Sequence, residues 1–355
     1  MDLAEFADWL AGMERLSGEQ GALALVELEK VVGRFGGADG RSSGEAPPEA
    51  AASPGKGERG KASRTERDGL AALGERKVER LGCAHCGADG IVGWGRSHGM
   101  PRYRCKACGR TFNAATGTGM ARLRKKDRWL DQAQAMIEGV SLAKAAARCS
   151  VHPTTAYRWR HRFLSAPALD KPHTLQGIVE ADETFILESF KGRRSGLTRQ
   201  ARKRGGKSRH PGPFADNIPV LVARDRSGAT TDAVLPEDTA ACITQALAGA
   251  MSPANVLVCD GGQPLRSFAR RAKIPVRTVP APGKPLPGEP EIHINNVNAY
   301  HSRLKEWMRR FHGVATRNLP NYLGWRRALE ASADASPHTW LLAALGQGPY
   351  QQLTR

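Results

Sequence analysis

The stretch Ile178-Val179-Glu180-Ala181-Asp182 is an apolar run that ends in a carboxylate, the signature of a buried strand. Downstream, Ile218 to Ala223 and Thr230 to Leu235 read as a hairpin across Asp225-Arg226-Ser227-Gly228. Helices over 243–251 and 265–272 then alternate with strands over 255–259 and 276–279. A proline-rich loop, 280–290, leads to a long basic helix over 294–311, in which Trp307 and Met308 are expected to face the core. Strands that open as a hairpin and then alternate with helices predict a mixed sheet flanked by helices.

Two of these strands end in aspartate, Asp182 after the first and Asp260 after VLVC. Carboxylates at neighbouring strand ends can converge, and such a pair holds a hard divalent cation through oxygen. Two cations about 3.5–4 Å apart can clamp the attacking and leaving oxygens of a phosphodiester. Gly261 and Gly262 leave room for a strand of backbone or nucleic acid. The competing reading makes one aspartate a helix cap and the other a turn residue. Glu183 falls on the opposite face of the strand from Asp182 and is not expected as a co-ligand.

Upstream, Trp129, Ala133, Met136 and Ile137 form a helical stripe that Gly139 ends. Ser141 is a candidate N-cap for a short helix, and Pro153 opens the next one after a break at 149–152. Short helix, tight turn, polar and basic helix is the layout of a helix-turn-helix. Its second helix is expected to offer Thr154, Thr155, Arg158 and Arg160 to DNA while Val151, Ala156 and Phe163 pack inward. An ordinary helical hairpin with a solvated basic face fits the same pattern.

Further upstream, Cys83, Cys86, Cys105 and Cys108 make two C-x2-C knuckles. Four soft thiolates in that spacing predict a structural zinc ribbon, with Arg102, Arg104 and Lys106 as its basic neighbours. A disulfide framework belongs instead to small domains of oxidising compartments. Cys149, Cys242 and Cys259 read as reduced core residues.

The chain of 355 residues carries 53 Lys and Arg against 35 Asp and Glu, a net charge of +18 that points to a polyanionic partner. No stretch reaches membrane-spanning length, and the acidic amphipathic start is unlike a secretory signal. A cytoplasmic protein is the expectation. The organisation read from these signals is a helical element over 1–35 and a flexible linker over 36–75. A zinc ribbon (78–113), a helix-turn-helix (127–166), a catalytic core (174–332) and a tail (333–355) follow. The fold class expected is thus multidomain α+β.

Four strings in this order resemble the zinc-ribbon transposases of bacterial insertion sequences: RYRCKACGRTFNAATGT (102–118), EADETFI (180–186), VCDGG (258–262) and HINNVNAYHSRLK (293–305). The resemblance implies a ribonuclease H-like core of the DDE type, with Asp182 and Asp260 as its metal-binding aspartates and Asn298 at the third position. That makes the chain a D-D-N variant. Asn can offer a carbonyl oxygen but adds no charge and cannot act as a base. Glu289 and Glu291 are alternatives for the missing carboxylate. His293 and Asn295 are expected to orient the loop or touch DNA, with a helix-capping role for Asn295 or Asn296 as the competing reading. The resemblance further implies Mg²⁺ or Mn²⁺ as catalytic cation beside the structural Zn²⁺, and a homo-oligomer on double-stranded DNA at the bacterial nucleoid. Residues 191–210 hold nine Lys or Arg and no acid, and Arg193, Arg194, Arg202, Lys203 and Arg204 are the candidate phosphate contacts there. The activity implied is metal-dependent DNA cleavage and strand transfer. An inactive copy serving as a DNA-binding regulator, kept open by Asn298, and a nuclease without strand transfer are the other readings.

Overall fold

The computed structural model describes residues 74–346 apart from 76, 98, 194, 198–199, 201–215, 281–284 and 332–335. The expected N-terminal element (1–35), nearly all of the linker (36–73), and Arg194, Arg202, Lys203 and Arg204 lie outside the described residues.

The first sheet is a three-stranded antiparallel ribbon, β1 (Ile91–Ser97), β2 (Met100–Cys105) and β3 (Thr111–Phe112). One face packs Tyr103 against Phe112 with ring centroids 5.8 Å apart. The helix-turn-helix follows as α1 (Trp129–Ile137), α2 (Leu142–Arg148) and α3 (Pro153–Leu169). Ser141 Oγ accepts from the Lys144 N–H at 3.4 Å, the N-cap expected from sequence, and Pro153 sits in the first turn of α3. Trp129, Ala133, Met136, Ala156 and Phe163 are buried, as their helical spacing required.

The second sheet has five strands in the order β6-β5-β4-β7-β8, where β4 is Ile178–Leu187, β5 Asn217–Asp225, β6 Thr230–Val234, β7 Val256–Cys259 and β8 Val276–Thr278. The β4/β5 and β5/β6 pairs are antiparallel, and β4/β7 and β7/β8 are parallel. This is the ribonuclease H-like mixed core expected from sequence. The strand alternation gives it two apolar faces. Val179, Ala181, Leu221, Ala223, Leu257 and Cys259 pack against α4 (Ala240–Leu247) and α5 (Gln263–Ala272). Val220, Val222 and Val258 pack instead with Tyr300 and Leu304 of α6 (Asn295–Arg309). Trp307 is buried on α6 and Met308 partly so.

Two more helices join these parts. α7 (Leu319–Ala331) packs on α3. At Gly324 the fit leaves no room for a side chain: a Cβ there would meet the Ala168 backbone at 2.5 Å and the Pro167 carbonyl at 2.6 Å. Arg327 of α7 donates to the carbonyls of Pro167, Ala168 and Asp170 at the end of α3, and its guanidinium also pairs with Asp232 of β6. A cation thus neutralises the negative end of α3 and ties it to the sheet edge. The segment assigned to a tail contains α8 (Pro337–Leu345), packed on α1 and α3 with Trp340, Leu341, Ala344 and Leu345 buried. Short apolar runs near a terminus lack the context that separates helix from tail, which is why sequence reasoning passed over it.

Candidate functional site

The four cysteine sulfurs lie within 4.8 Å of one another, with none in a disulfide. Cys83 and Cys108 Sγ are 3.7 Å apart, and Cys86 and Cys105 Sγ are 3.6 Å apart. Backbone N–H groups of His85 and Cys108 point at the Cys83 and Cys105 sulfurs, at 3.4 and 3.5 Å. The Cys108 N–H is the main influence pushing the Cys105 thiol down to about 7, toward the thiolate that binds metal. Converging thiols with donors aimed at sulfur and no bridge between them fit one tetrahedral Zn²⁺. All four positions would then be protein ligands, the arrangement of a structural rather than a catalytic zinc centre.

The exposed side of the ribbon carries the basic residues. The Arg104 guanidinium lies 4.8 Å over the Trp94 ring, whose side chain is 48 % exposed, and Arg102 donates to Thr111 Oγ1 at 2.7 Å. Lys106 is exposed beside them. On α3, Thr154 and Arg158 are exposed and Thr155 half-buried. Arg160 corrects the sequence expectation. It is 4 % exposed, donates to the Val140 carbonyl at 2.9 Å and stacks over Trp325 and Phe311, so it supports α3 from inside rather than facing DNA. Helical spacing alone places 160 two residues from 158, on the opposite side of the helix. Tyr157 and His161 are also engaged within the chain, through Asn318 and Asn321 at 3.1 and 3.0 Å. Burial, and then Arg160 and Arg317, push His161 down to about 4 and keep it neutral. In the basic segment, Arg193 is exposed and donates to the Ser195 carbonyl.

The carboxylate site is set by strand register. β4 and β7 run parallel with Ile178 opposite Val256 and Glu180 opposite Val258. Continuing that register past the end of β7 sets Asp182 against Asp260. Asp260 is exposed, and its Oδ1 accepts from the Gly262 N–H at 2.9 Å, the turn role also open from sequence. Gly261 makes that turn at φ 97°, and a Cβ on it would come within 2.7 Å of Thr278 Cγ2. Here the glycines serve the turn and the packing on β8. Asn298 lies on α6, half-buried, one turn before His301. The Asp182 Oδ2 atom is 3.5 Å from His301 Nδ1.

Two further acids belong to this cluster. Glu183, on the other face of β4, is pushed up to about 8, first by burial and then by Asp238, Asp182 and Asp260. Asp238 is likewise raised by burial, Asp260 and Asp182. Asp238 escaped sequence reasoning because Pro236-Glu237-Asp238-Thr239 reads as an ordinary helix start. Burial and neighbouring carboxylates both work against ionisation of Glu183 and Asp238, a field that a divalent cation would relieve. Oxygen donors of this kind suit a hard divalent cation such as Mg²⁺ or Mn²⁺.

The helix that carries Asn298 is fixed from a distance. Glu180, 0 % exposed on β4, accepts through Oε2 from the Val297 N–H at 2.9 Å, and its Oε1 pairs with Arg226 and lies 3.2 Å from His293 Nδ1. Arg226 also reaches the Glu291 carbonyl. Neither Asn295 nor Asn296 caps α6 with its side chain. The cap comes from Glu180, far away in sequence, and His293 serves the same cluster. Glu291 contributes its carbonyl to Arg226, while the Glu289 carboxylate is 3.7 Å from Arg277.

Residues 174–326 match the ISXO2-like transposase domain, and residues 122–169 match a homeodomain-like domain, the helix-turn-helix unit. A curated relative, the uncharacterized protein in transposable element ISH50 of Halobacterium salinarum, is 31% identical over 255 residues. The alignment covers 68% of this chain and 82% of that protein. Solved structures align more loosely. A pre-cleavage Mos1 transpososome matches at 13% identity over 61% of this chain and 78% of that one, TM-score 0.25. A simian T-cell lymphotropic virus intasome bound to the PP2A subunit B56 gamma matches at 12% over 55% and 66%, TM-score 0.26. Overlap that loose adds no structural weight. No helix among the described residues is long and apolar enough to cross a membrane. With its ribonuclease H-like sheet, its helix-turn-helix and its homologue in a mobile element, the chain belongs to the ISXO2-like transposase family.

Proposed function

We propose that the protein is an insertion-sequence transposase that binds the ends of its element and performs metal-dependent DNA cleavage and strand transfer. The observation that supports the reading is the parallel β4/β7 register. Continued two residues past Glu180 and Val258, it would set Asp182 and Asp260 side by side at the ends of two adjacent inner strands, near the helix that bears Asn298. A divalent cation there would neutralise charge on the phosphodiester and polarise it toward displacement. Asp182 and Asp260 would hold that cation. Glu183, pushed up to about 8 chiefly by burial, and Asp238, also raised, stand near it as further carboxyl groups. Asn298 would add a neutral oxygen. In the two successive displacements, first by water and then by the freed 3′-hydroxyl of the element end, the protein positions the reacting groups and supplies no nucleophile of its own. The exposed Thr154 and Arg158 of α3 and the Arg102/Arg104/Lys106 face of the ribbon would supply contacts to base edges and phosphates. DNA would be held as a homo-oligomer on paired ends.

The test is cleavage and joining of DNA carrying the element's ends with Mg²⁺ or Mn²⁺. Asp182→Ala should lower the rate about a thousandfold or more, because metal clamping of the charge contributes several kcal/mol and each 1.36 kcal/mol is tenfold. Equal cutting by wild type and Asp182→Ala would refute the site. Binding of end DNA without any cutting by the wild type would favour the inactive-regulator reading, and cutting without joining the nuclease.

A further inference from the structure

We propose that His301 is a ligand of the catalytic cation, supplying through its imidazole the donor that Asn298 does not supply as a carboxylate. The inference rests on the reading of Asp182 as a metal-binding residue.

His301 is out of character for its position. The inner stripe of α6 is Val297, Tyr300, Leu304 and Trp307, all buried, and His301 sits among them at 6 % exposed. An imidazole costs free energy in such a place unless its nitrogens are used. One nitrogen, Nδ1, faces Asp182 Oδ2 at 3.5 Å, and the other, Nε2, is buried with no partner among the described residues. An ionised carboxylate can only accept. At that separation either Nδ1 carries a proton and donates to the carboxylate, or a cation lies between the two. Asn298 lies three residues earlier on the same helix, so the two side chains are neighbours on one face. Its amide makes no hydrogen bond to a described residue and is free for the same purpose.

Chemistry separates this arrangement from an all-carboxylate one. With Asp182 and Asp260 as the charged ligands, Asn298 and His301 add two neutral donors, an oxygen and a nitrogen. Imidazole suits first-row transition metals, while Mg²⁺ favours hard oxygen. A nitrogen ligand therefore shifts preference toward Mn²⁺. Glu180, which ties the first turn of α6 to β4, fixes the height of both residues over Asp182.

The experiment uses the full, zinc-loaded chain with Mn²⁺ as probe, read by electron spin-echo envelope modulation. The expected result is ¹⁴N modulation from a directly bound imidazole in the wild type, lost in His301→Leu, with Mn²⁺ affinity at least tenfold weaker. Adding Asn298→Glu to His301→Leu should restore Mn²⁺ affinity without restoring the nitrogen signal. The inference is overturned if Mn²⁺ binds the wild type without ¹⁴N modulation, or if the modulation persists in His301→Leu. Should that variant fail to fold, His301→Asn applies the same criterion, since it retains a polar donor but no imidazole. Mn²⁺ binding that survives both Asp182→Ala and Asp260→Ala would instead refute the underlying site, which keeps the two failures distinct.

Discussion

The cysteine centre and the carboxylate site are built on opposite plans. The first draws its ligands from two tight turns within one short stretch of chain, Cys83 to Cys108, and its sulfurs lie within 4.8 Å of one another. The second gathers Asp182, Asp238, Asp260 and the α6 residues from separate elements. Among the described residues, the cysteines form the one group of three or more such donors packed that closely. Four thiols converge on one point, whereas the carboxyl groups stand farther apart. The two donor sets thus differ in how far the donors sit from each other in space and along the sequence.

The sharpest way to break this comparison is to remove one cysteine. Cys105→Ala should abolish zinc binding, forfeiting about 10 kcal/mol of coupled metal-binding and folding free energy in the ribbon. Its core should still bind Mn²⁺. Metal analysis of the purified protein reads the first result, and loss of both metals would show that the two sites are not independent. Next in size, Glu180→Ala strips a buried carboxylate from Arg226, His293 and the start of α6. Breaking such a pair costs about 3–5 kcal/mol, readable as a lower denaturant midpoint, while zinc content stays unchanged. An unaltered midpoint would show that α6 is held by its apolar stripe alone.

A smaller effect tests the joint between α6 and α7. Burial works to raise the Glu330 carboxyl, but Arg303, Arg326 and Arg224 overcome it and hold it down at about 2. A depressed carboxylate stabilises the fold above its ordinary pKa of 4.5, and that contribution is lost as pH falls from about 4.5 to 2. Acid unfolding followed by circular dichroism should therefore be steeper in that window for the wild type than for Glu330→Gln. Parallel profiles would remove Glu330 from the joint. Smallest is the contrast within α3. Arg158→Ala should reduce the salt slope of end-DNA binding by about 0.9, whereas Arg160→Ala should leave the slope alone and lower thermal stability. The reverse pattern would return Arg160 to the DNA-facing side.

Most of the architecture was legible because its signals are local. The strand IVEAD, the hairpin across Asp225–Gly228, the Ser141 cap and the cysteine knuckles each rest on a few adjacent residues. What escaped depends on distance. Glu180 reads as one polar residue in an apolar strand, and only the fold shows that it caps α6. Arg160 sits by its spacing on the other side of the helix from Arg158, but only the fold shows that α7 covers that side. Asp238 carries no motif of its own, and His301, though inside the string 293–305, matters through what packing brings beside it. The helix at 337–345 was missed because its partners, α1 and α3, lie far away in sequence.

The close approach at Gly324 has a consequence for where the proposed cleavage would fall. The helix proposed to read the element's end touches α7 backbone to backbone, and α7 is bound through Arg327 and Glu330 to the sheet and helix of the carboxylate site. Such a joint works as a ruler. The spacing between the bases recognised and the phosphodiester attacked becomes a constant of the fold, so that extra base pairs placed between them leave binding intact and carry the scissile bond out of reach.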